Sequence, residues 1–227
     1  YQTEEEAAKA PNDPNAQGRK KHAGDAKFED VNNDGQLDSK DMIFMGYVRP
    51  DKVGGIINTL KYKGLTVRIV MDWAMGHVID NGFKGQIMGS SRNNNNAIKE
   101  AMTNSWQSAN DGSKYPKYTV QSDYDYQYRN HMRWDNQIGS SASGSTNNSL
   151  YFSKGDYLAF REVSLSYMLP LSWIRKMRLS AVEVFAGAYN IGYIKKYDGM
   201  FPEIYTGVDY GIYPRPRQYN MGVKINF

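Results

Sequence analysis

Apolar and polar residues alternate without a break through the last nine positions. Tyr219, Met221, Val223, Ile225 and Phe227 fall on one parity, and Asn220, Gly222, Lys224 and Asn226 on the other. A period of two predicts a β-strand with one apolar and one wet face. Upstream, Leu65, Val67, Ile69, Met71 and Trp73 alternate with Thr66, Arg68, Val70, Asp72 and Ala74. Val163, Leu165 and Tyr167 alternate with Glu162, Ser164 and Ser166. Strands are predicted over 53–62, 65–75, 157–169, 181–191 and 219–227. Such strands suit a soluble sandwich, and they suit a membrane barrel with lipid on one side and a polar lumen on the other.

The connections narrow the choice. Tyr62-Lys63-Gly64 is a tight turn and 170–180 a short connection, whereas 76–155 is very long and polar and 192–216 is of medium length. A barrel of the outer-membrane type has this asymmetry, with short periplasmic turns and long extracellular loops. If the last strand runs inward, both short connections fall on the periplasmic face. Arg68 and Asp72 suit a lumen, and Tyr62 and Trp73, near opposite ends of the hairpin, suit interfacial aromatic girdles. Two short helices are also predicted, one after Thr3 as N-cap and one over 97–106 capped by Asn96. The expected organisation is an extracellular loop (1–52), a transmembrane hairpin (53–75), a long extracellular loop (76–155) and three further transmembrane strands (156–227).

Composition adds exclusions. Eighteen Tyr and 21 Gly favour strands and turns, and the lack of Cys removes disulfides, thiolate metal sites and Cys nucleophiles. No apolar run reaches the length of a transmembrane helix, a test that a β-barrel evades. The net charge of +4 is small. The cluster Arg19-Lys20-Lys21-His22 reads as a solvated loop, and no nucleic-acid motif accompanies it. His22, His77 and His131 are isolated, Asp123 and Asp125 sit in polar sequence, and no nucleophile motif surrounds a Ser, so no enzyme is expected. No secretory signal peptide is visible, and the opening at Tyr1 reads as a piece of something longer.

Residues 30–41 carry the spacing of a calcium loop. Oxygen-bearing side chains stand at loop positions 1, 3, 5, 9 and 12, and Gly35 at position 6. Asp30, Asn32, Asp34 and Asp41 are the expected side-chain ligands, Gln36 lends its carbonyl, and Asp38 binds directly or through water. The expected cofactor is a structural Ca2+. The alternative is an Asx-rich turn without metal. Between 115 and 134 lie Tyr115, Tyr118, Tyr124, Tyr126, Tyr128 and Trp134. They either stack on a ligand or partner or serve loop packing, as Tyr does at interfaces generally.

Several ordered segments together resemble one family, the SusC/RagA-type TonB-dependent outer-membrane transporters of Bacteroidota. Gly24-Asp25-Ala26-Lys27-Phe28-Glu29-Asp30-Val31-Asn32-Asn33-Asp34-Gly35 is similar to that family's acidic loop segment, and Tyr62-Lys63-Gly64-Leu65 to its hairpin turn. Asn104-Ser105-Trp106 with Tyr115-Pro116, then Gly155 to Tyr167, Tyr189-Asn190-Ile191 and Tyr213 to Tyr219 follow in the family's order. The resemblance implies an all-β, antiparallel barrel of 22 strands, of which this chain supplies about the last five, with a plug and a TonB box in a missing N-terminal part. It implies import of an oligosaccharide or oligopeptide across the outer membrane, a SusD-like surface lipoprotein as partner, and energy from TonB. Phe227, closing the run Tyr219, Met221, Val223 and Ile225, resembles the terminal aromatic of outer-membrane proteins that their assembly machinery reads. The rival expectation is a secreted, calcium-loop-bearing β-sandwich that binds carbohydrate.

Overall fold

Lys63 and Gly64 both take positive φ, 46° and 85°, which closes a two-residue hairpin whose twist matches its strands. They join β1 (Lys52–Tyr62) to β2 (Leu65–Met75), paired antiparallel from Tyr62↔Leu65 to Lys52↔Met75. β3 (Tyr157–Met168), β4 (Ala181–Lys195) and β5 (Gln218–Asn226) follow. The five strands form one sheet in chain order, each antiparallel to its neighbours. The computed structural model describes residues 1–88, 90–91, 98–120, 123–130 and 149–227. Among them the sheet is open, with β1 and β5 at its edges.

The chain divides into two compact units. One holds Tyr1–Gly46, Asp80–Phe152 and Val208–Gly211, and the other Tyr47–Ile79, Ser153–Gly207 and Ile212–Phe227. The second contains the five-stranded sheet. Residues directly opposite across an antiparallel pair share a face. The register therefore aligns Leu60, Val67, Leu165, Ala186 and Met221 in one row. Tyr62, Leu65, Tyr167, Val184 and Val223 form the next row on the same face. On the opposite face run Thr59, Arg68, Ser164, Gly187 and Asn220.

The apolar face is open. Leu60 is 61% exposed, Leu165 46% and Met221 88%. The buried clusters of this unit lie elsewhere: Ala74, Tyr157 and Ala159 belong by register to the polar face, and Ile79, Tyr197, Phe201 and Ile204 cluster beyond the strands. A soluble sandwich packs its apolar face on a second sheet, and among the described residues none covers this one. Eleven residues of strand at about 3.3 Å each reach about 36 Å. Tilted as barrel strands are, they span about the thickness of a membrane's apolar band.

The first unit shows why 76–155 is more than polar loop. Helices Gly82–Met88, Lys99–Thr103 and Tyr124–Asn130 punctuate it. Met88, Ala101, Tyr115 and Tyr151 form a buried cluster, with Ile98, Tyr118 and Leu150 packed against it. The helix expected over 97–106 is confined to Lys99–Thr103, and its N-cap is Ile98, which offers no side-chain acceptor; Asn96 lies outside the described residues. Thr3 does cap Glu4–Ala7, its side chain accepting from the Glu6 amide at 3.2 Å. β4 extends to Lys195, past the expected end at 191.

The basic cluster is only in part the solvated loop its composition suggested: Lys20 and His22 are exposed, but Lys21 is not. Lys21 is 6% exposed, lies 3.5 Å from Asp13 and donates to the Arg129 carbonyl. Burial lowers its pKa, and the carboxylate and carbonyl offset that cost. Arg19 pairs with Asp125 at 2.6 Å, and Asp25 accepts from Arg129 and Asn130. These contacts fasten residues 13–26 to the helix at 124–130.

The hairpin turn is testable. A Cβ at Gly64 would lie 2.8 Å from the Met168 carbonyl oxygen at a φ that L-residues avoid. Gly64→Ala is expected to cost about 1–3 kcal/mol, read as a lower denaturation midpoint of the whole protein. Lys63→Gly, which relieves a positive φ, is expected to leave the midpoint unchanged or raise it.

Candidate functional site

The polar face carries a built cluster at the end of the sheet where β2 and β4 finish and β3 begins. β3 gains one residue against β2: Val70 pairs with Glu162 and Met71 with Phe160, leaving Arg161 without an opposite residue. Such a bulge breaks the strict in-and-out alternation and re-aims a side chain. Arg161 and Glu162 consequently both serve the polar face. The Arg161 guanidinium grips Asp72 with two bonds, 2.6 Å to Oδ2 and 2.8 Å to Oδ1. Its Nη1 lies 3.2 Å from the Tyr193 hydroxyl and 2.5 Å from Glu203 Oε1.

Glu203 is the far anchor. Its side chain is only 1% exposed and receives the Tyr193 hydroxyl at 2.7 Å, with Arg215 3.2 Å from its other oxygen. Tyr157 and Phe201 flank Tyr193 edge-on, with centroids 5.9 and 5.8 Å away. The connection following β4 is thereby tied to the polar face of the sheet. Beside it, Glu162 accepts from Ser164 at 2.7 Å and lies 3.4 Å from Arg68. Asp72 and Arg68 are legible as wet-face residues, whereas Arg161, Tyr193 and Glu203 are not singled out by the alternation. A signal for the bulge does exist: Leu158 and Phe160 stand on even numbers, and Val163, Leu165 and Tyr167 on odd.

The acidic loop adopts a tight turn with Asn33 and Gly35 at φ 58° and 80°. Asp30 accepts from the amides of Asp34 (3.2 Å) and Gly35 (2.8 Å), and Asn32 from that of Asp34 (3.0 Å). Asp34 accepts from the Gln36 amide at 3.0 Å, and Asp41 from those of Val31 and Asp38. The backbone of Gly35 and Leu37 is bonded to Asn12. Lys40 Nζ lies 3.4 Å from Asp34 and 3.5 Å from Asp38. The Asp38 and Asp34 carboxylates push the Lys40 pKa up, and the Gln36 amide leads the contacts that hold Asp34 below its usual range. Among the described residues no three of His, Cys, Asp and Glu gather at metal-holding distances. The donor set is nonetheless all hard oxygen, which suits Ca2+, and the Lys40 ammonium already supplies positive charge between two of the expected ligands.

The aromatic candidates are dispersed. Tyr115 is 3% exposed and donates to Glu100 at 2.6 Å; it also lines a cleft of about 700 Å³ with Phe28, Met42, Trp106 and Lys114. Tyr118 packs on the same cluster, and Tyr128 lies under the Arg19 guanidinium, 4.8 Å from its ring centroid. Tyr124 and Tyr126 fall on the helix 124–130, and Trp134 lies outside the described residues. On β5, Tyr219, Met221, Val223 and Ile225 all stand on the open apolar face, with Phe227 beyond the strand, 93% exposed. Of the histidines, His22 faces Glu4 at 3.3 Å and His77 is buried, which lowers its pKa; His131 lies outside the described residues.

No family model matches the chain. It is 25% identical over 216 residues to TonB-dependent receptor P3 of Formosa agariphila, covering 90% of this chain and 19% of that protein. It is 24% identical over 216 residues to TonB-dependent receptor P26 of the same organism, covering 90% and 20%. The chain thus spans about a fifth of the length of these curated relatives. Its fold matches the RagAB peptide transporter with a TM-score of 0.58 at 21% identity, covering 79% of this chain and 17% of that one. It matches the RagAB peptide importer in its open-open state at 0.61 and 20% identity, covering 88% and 20%.

With one apolar face left open, the sheet is similar in fold to part of the RagAB transporter, and the chain is similar in sequence to TonB-dependent receptors, which are outer-membrane β-barrel proteins. The resemblance to SusC/RagA-type transporters, drawn from the ordered motifs, agrees with both comparisons. The relatives are receptors and transporters rather than enzymes.

The bulge cluster makes its own prediction. Arg161→Met strips the buried Glu203 of its strongest partner and is expected to cost about 3 kcal/mol. Limited proteolysis within 196–217 should accelerate with it. Cleavage at the wild-type rate would mean that other contacts hold this connection.

Proposed function

We propose that this chain forms about the last five strands of a 22-stranded SusC-like barrel that imports an oligosaccharide or oligopeptide across the outer membrane. The remaining strands and the plug complete the wall and its closure. A SusD-like surface lipoprotein covers the extracellular side, and TonB acts through the N-terminal part of the transporter. The observation that carries this reading is the continuous apolar face, open from β1 to β5, backed by a face of charges and amides. Lipid suits the first and a wet lumen the second. The RagAB neighbours are titled peptide transporters and importers, which supports an oligopeptide as one substrate class.

Within this reading the acidic loop binds a structural Ca2+ through Asp30, Asn32, Asp34, Asp38 and Asp41, with the Gln36 carbonyl. The ion supplies charge neutralisation, while the backbone bonds from Asn12 hold the loop in place. Lys40 would leave Asp34 and Asp38 when the ion enters. The ordered core of Met88, Ala101, Tyr115 and Tyr151 supports an extracellular unit with a fixed surface.

Two experiments test these points. Val163→Lys, on the apolar face near mid-strand opposite Ile69, is expected to destabilise the membrane-folded protein by about 2–4 kcal/mol. Ser164→Lys, one residue away on the polar face, should cost far less. Equal costs in a vesicle-folding titration would sink the barrel reading. For the loop, adding calcium should slow proteolysis within 30–41 and chelator should restore it, and Asp34→Ala with Asp41→Ala should abolish the difference. A loop cut at the same rate with and without chelator removes the metal.

A further inference from the structure

We infer that the short-connection end of the sheet is a binding surface for anionic phospholipid headgroups. Three chain segments meet at that end. The Tyr62–Gly64 turn is tied to β3, since the Met168 amide donates to the Gly64 carbonyl at 2.8 Å. The connection 170–180 is tied to β5, since Ser180 donates its amide to Asn226 (2.9 Å) and its hydroxyl to the Phe227 carbonyl (3.2 Å).

The connection between β3 and β4 is built to present its side chains outward. A helical turn, Leu171–Ile174, runs into a 3-10 turn, Arg175–Met177. Ile174 alone is driven inward, at 1% exposure. Leu171, Trp173 and Met177 remain exposed at 59%, 64% and 59%, beside Tyr62 at 69% across the same end. Arg175, Lys176 and Arg178 are exposed as well, and among the described residues none of the three pairs with a carboxylate. Lys63 joins them from the turn, its ammonium 5.2 Å from the Tyr62 ring centroid.

Acidic residues are sparse at this end, where Glu183 stands on the polar face opposite Met168 and Lys224. The sequence has no Asp or Glu between Asp51 and Asp72, nor between Glu162 and Glu183. The opposite end holds Asp51, Asp72, Asp156 and Glu203. A surface that mixes Trp, Tyr and Leu with uncompensated cations fits the depth where acyl chains give way to headgroups. Cations at that depth gain a phosphate counter-ion. The open apolar face of the same sheet already calls for lipid, so the headgroup layer continues an interface rather than adding a separate one. This inference rests on the barrel reading given above.

The test uses the whole transporter in vesicles of phosphatidylcholine, with and without phosphatidylglycerol, each lipid brominated in turn. The readout is the tryptophan fluorescence lost on bromination, taken as the difference between wild type and Trp173→Phe. Brominated phosphatidylglycerol is expected to quench the Trp173 signal in preference to brominated phosphatidylcholine. High salt should erase the preference. The triple variant Arg175→Gln/Lys176→Gln/Arg178→Gln should lower the relative affinity for phosphatidylglycerol by about tenfold or more while still inserting. Equal quenching by the two lipids in the wild type overturns headgroup recognition. Absence of quenching in a protein that floats with the vesicles also overturns it and assigns this end to a protein partner. A protein that fails to float overturns the barrel reading along with it.

Discussion

An antiparallel sheet satisfies its backbone internally but says nothing about what lies on its two faces. Here that question dominates the molecule. The rows running from Leu60 to Met221 and from Tyr62 to Val223 turn apolar side chains outward. The buried clusters are displaced to the polar face and to the connections. Exposed leucines are ordinary on soluble proteins when they stand singly, but contiguous apolar surface is a demand for a partner. Side-chain placement suits hydrocarbon as that partner, and the backbone suits it only where further strands continue β1 and β5, because an open edge leaves unpaired amides within a bilayer.

The polar face follows a different economy. In a wet interior, charges can be kept if they are paired, and Arg161 is paired in excess, with Asp72, Glu203 and Tyr193 all within reach. The bulge makes this possible by placing two neighbouring charged residues on one side of a strand, which strict alternation forbids. A guanidinium serves better than an ammonium here, since its planar fork satisfies Asp72 with two bonds and still has a nitrogen for Glu203.

Much of the fold was legible because a period of two is a geometric signature. The strands over 53–62 and 65–75, the Lys63-Gly64 turn and the terminal strand were readable from alternation and turn chemistry. The extra length of β4 was harder, since Asn190 with positive φ and Gly192 disturb the pattern near the expected end. The first unit was least legible. Its core gathers Met88, Ala101, Tyr115 and Tyr151 from segments far apart in sequence. Long-range packing of that kind leaves no local period. Lys21 shows the same limit: its burial depends on Asp13 and the Arg129 carbonyl, which no single stretch of sequence brings together. The acidic loop was legible as a pattern because its oxygen-bearing residues are local in sequence. The bulge cluster was half legible, since Asp72 is a strand residue while Glu203 arrives from a connection.

The ordered core in the insertion between β2 and β3 has a thermodynamic corollary. Bringing β3 alongside β2 means closing a gap of roughly eighty residues, which for a flexible chain costs about 3 kcal/mol more than closing a two-residue turn. A segment that packs its own cluster no longer samples the conformations of a free coil. Its ends are held by structure already formed, so the gap behaves as a much shorter loop. The aromatic cluster around Tyr115 therefore lowers the entropy barrier to pairing two strands in which it takes no part.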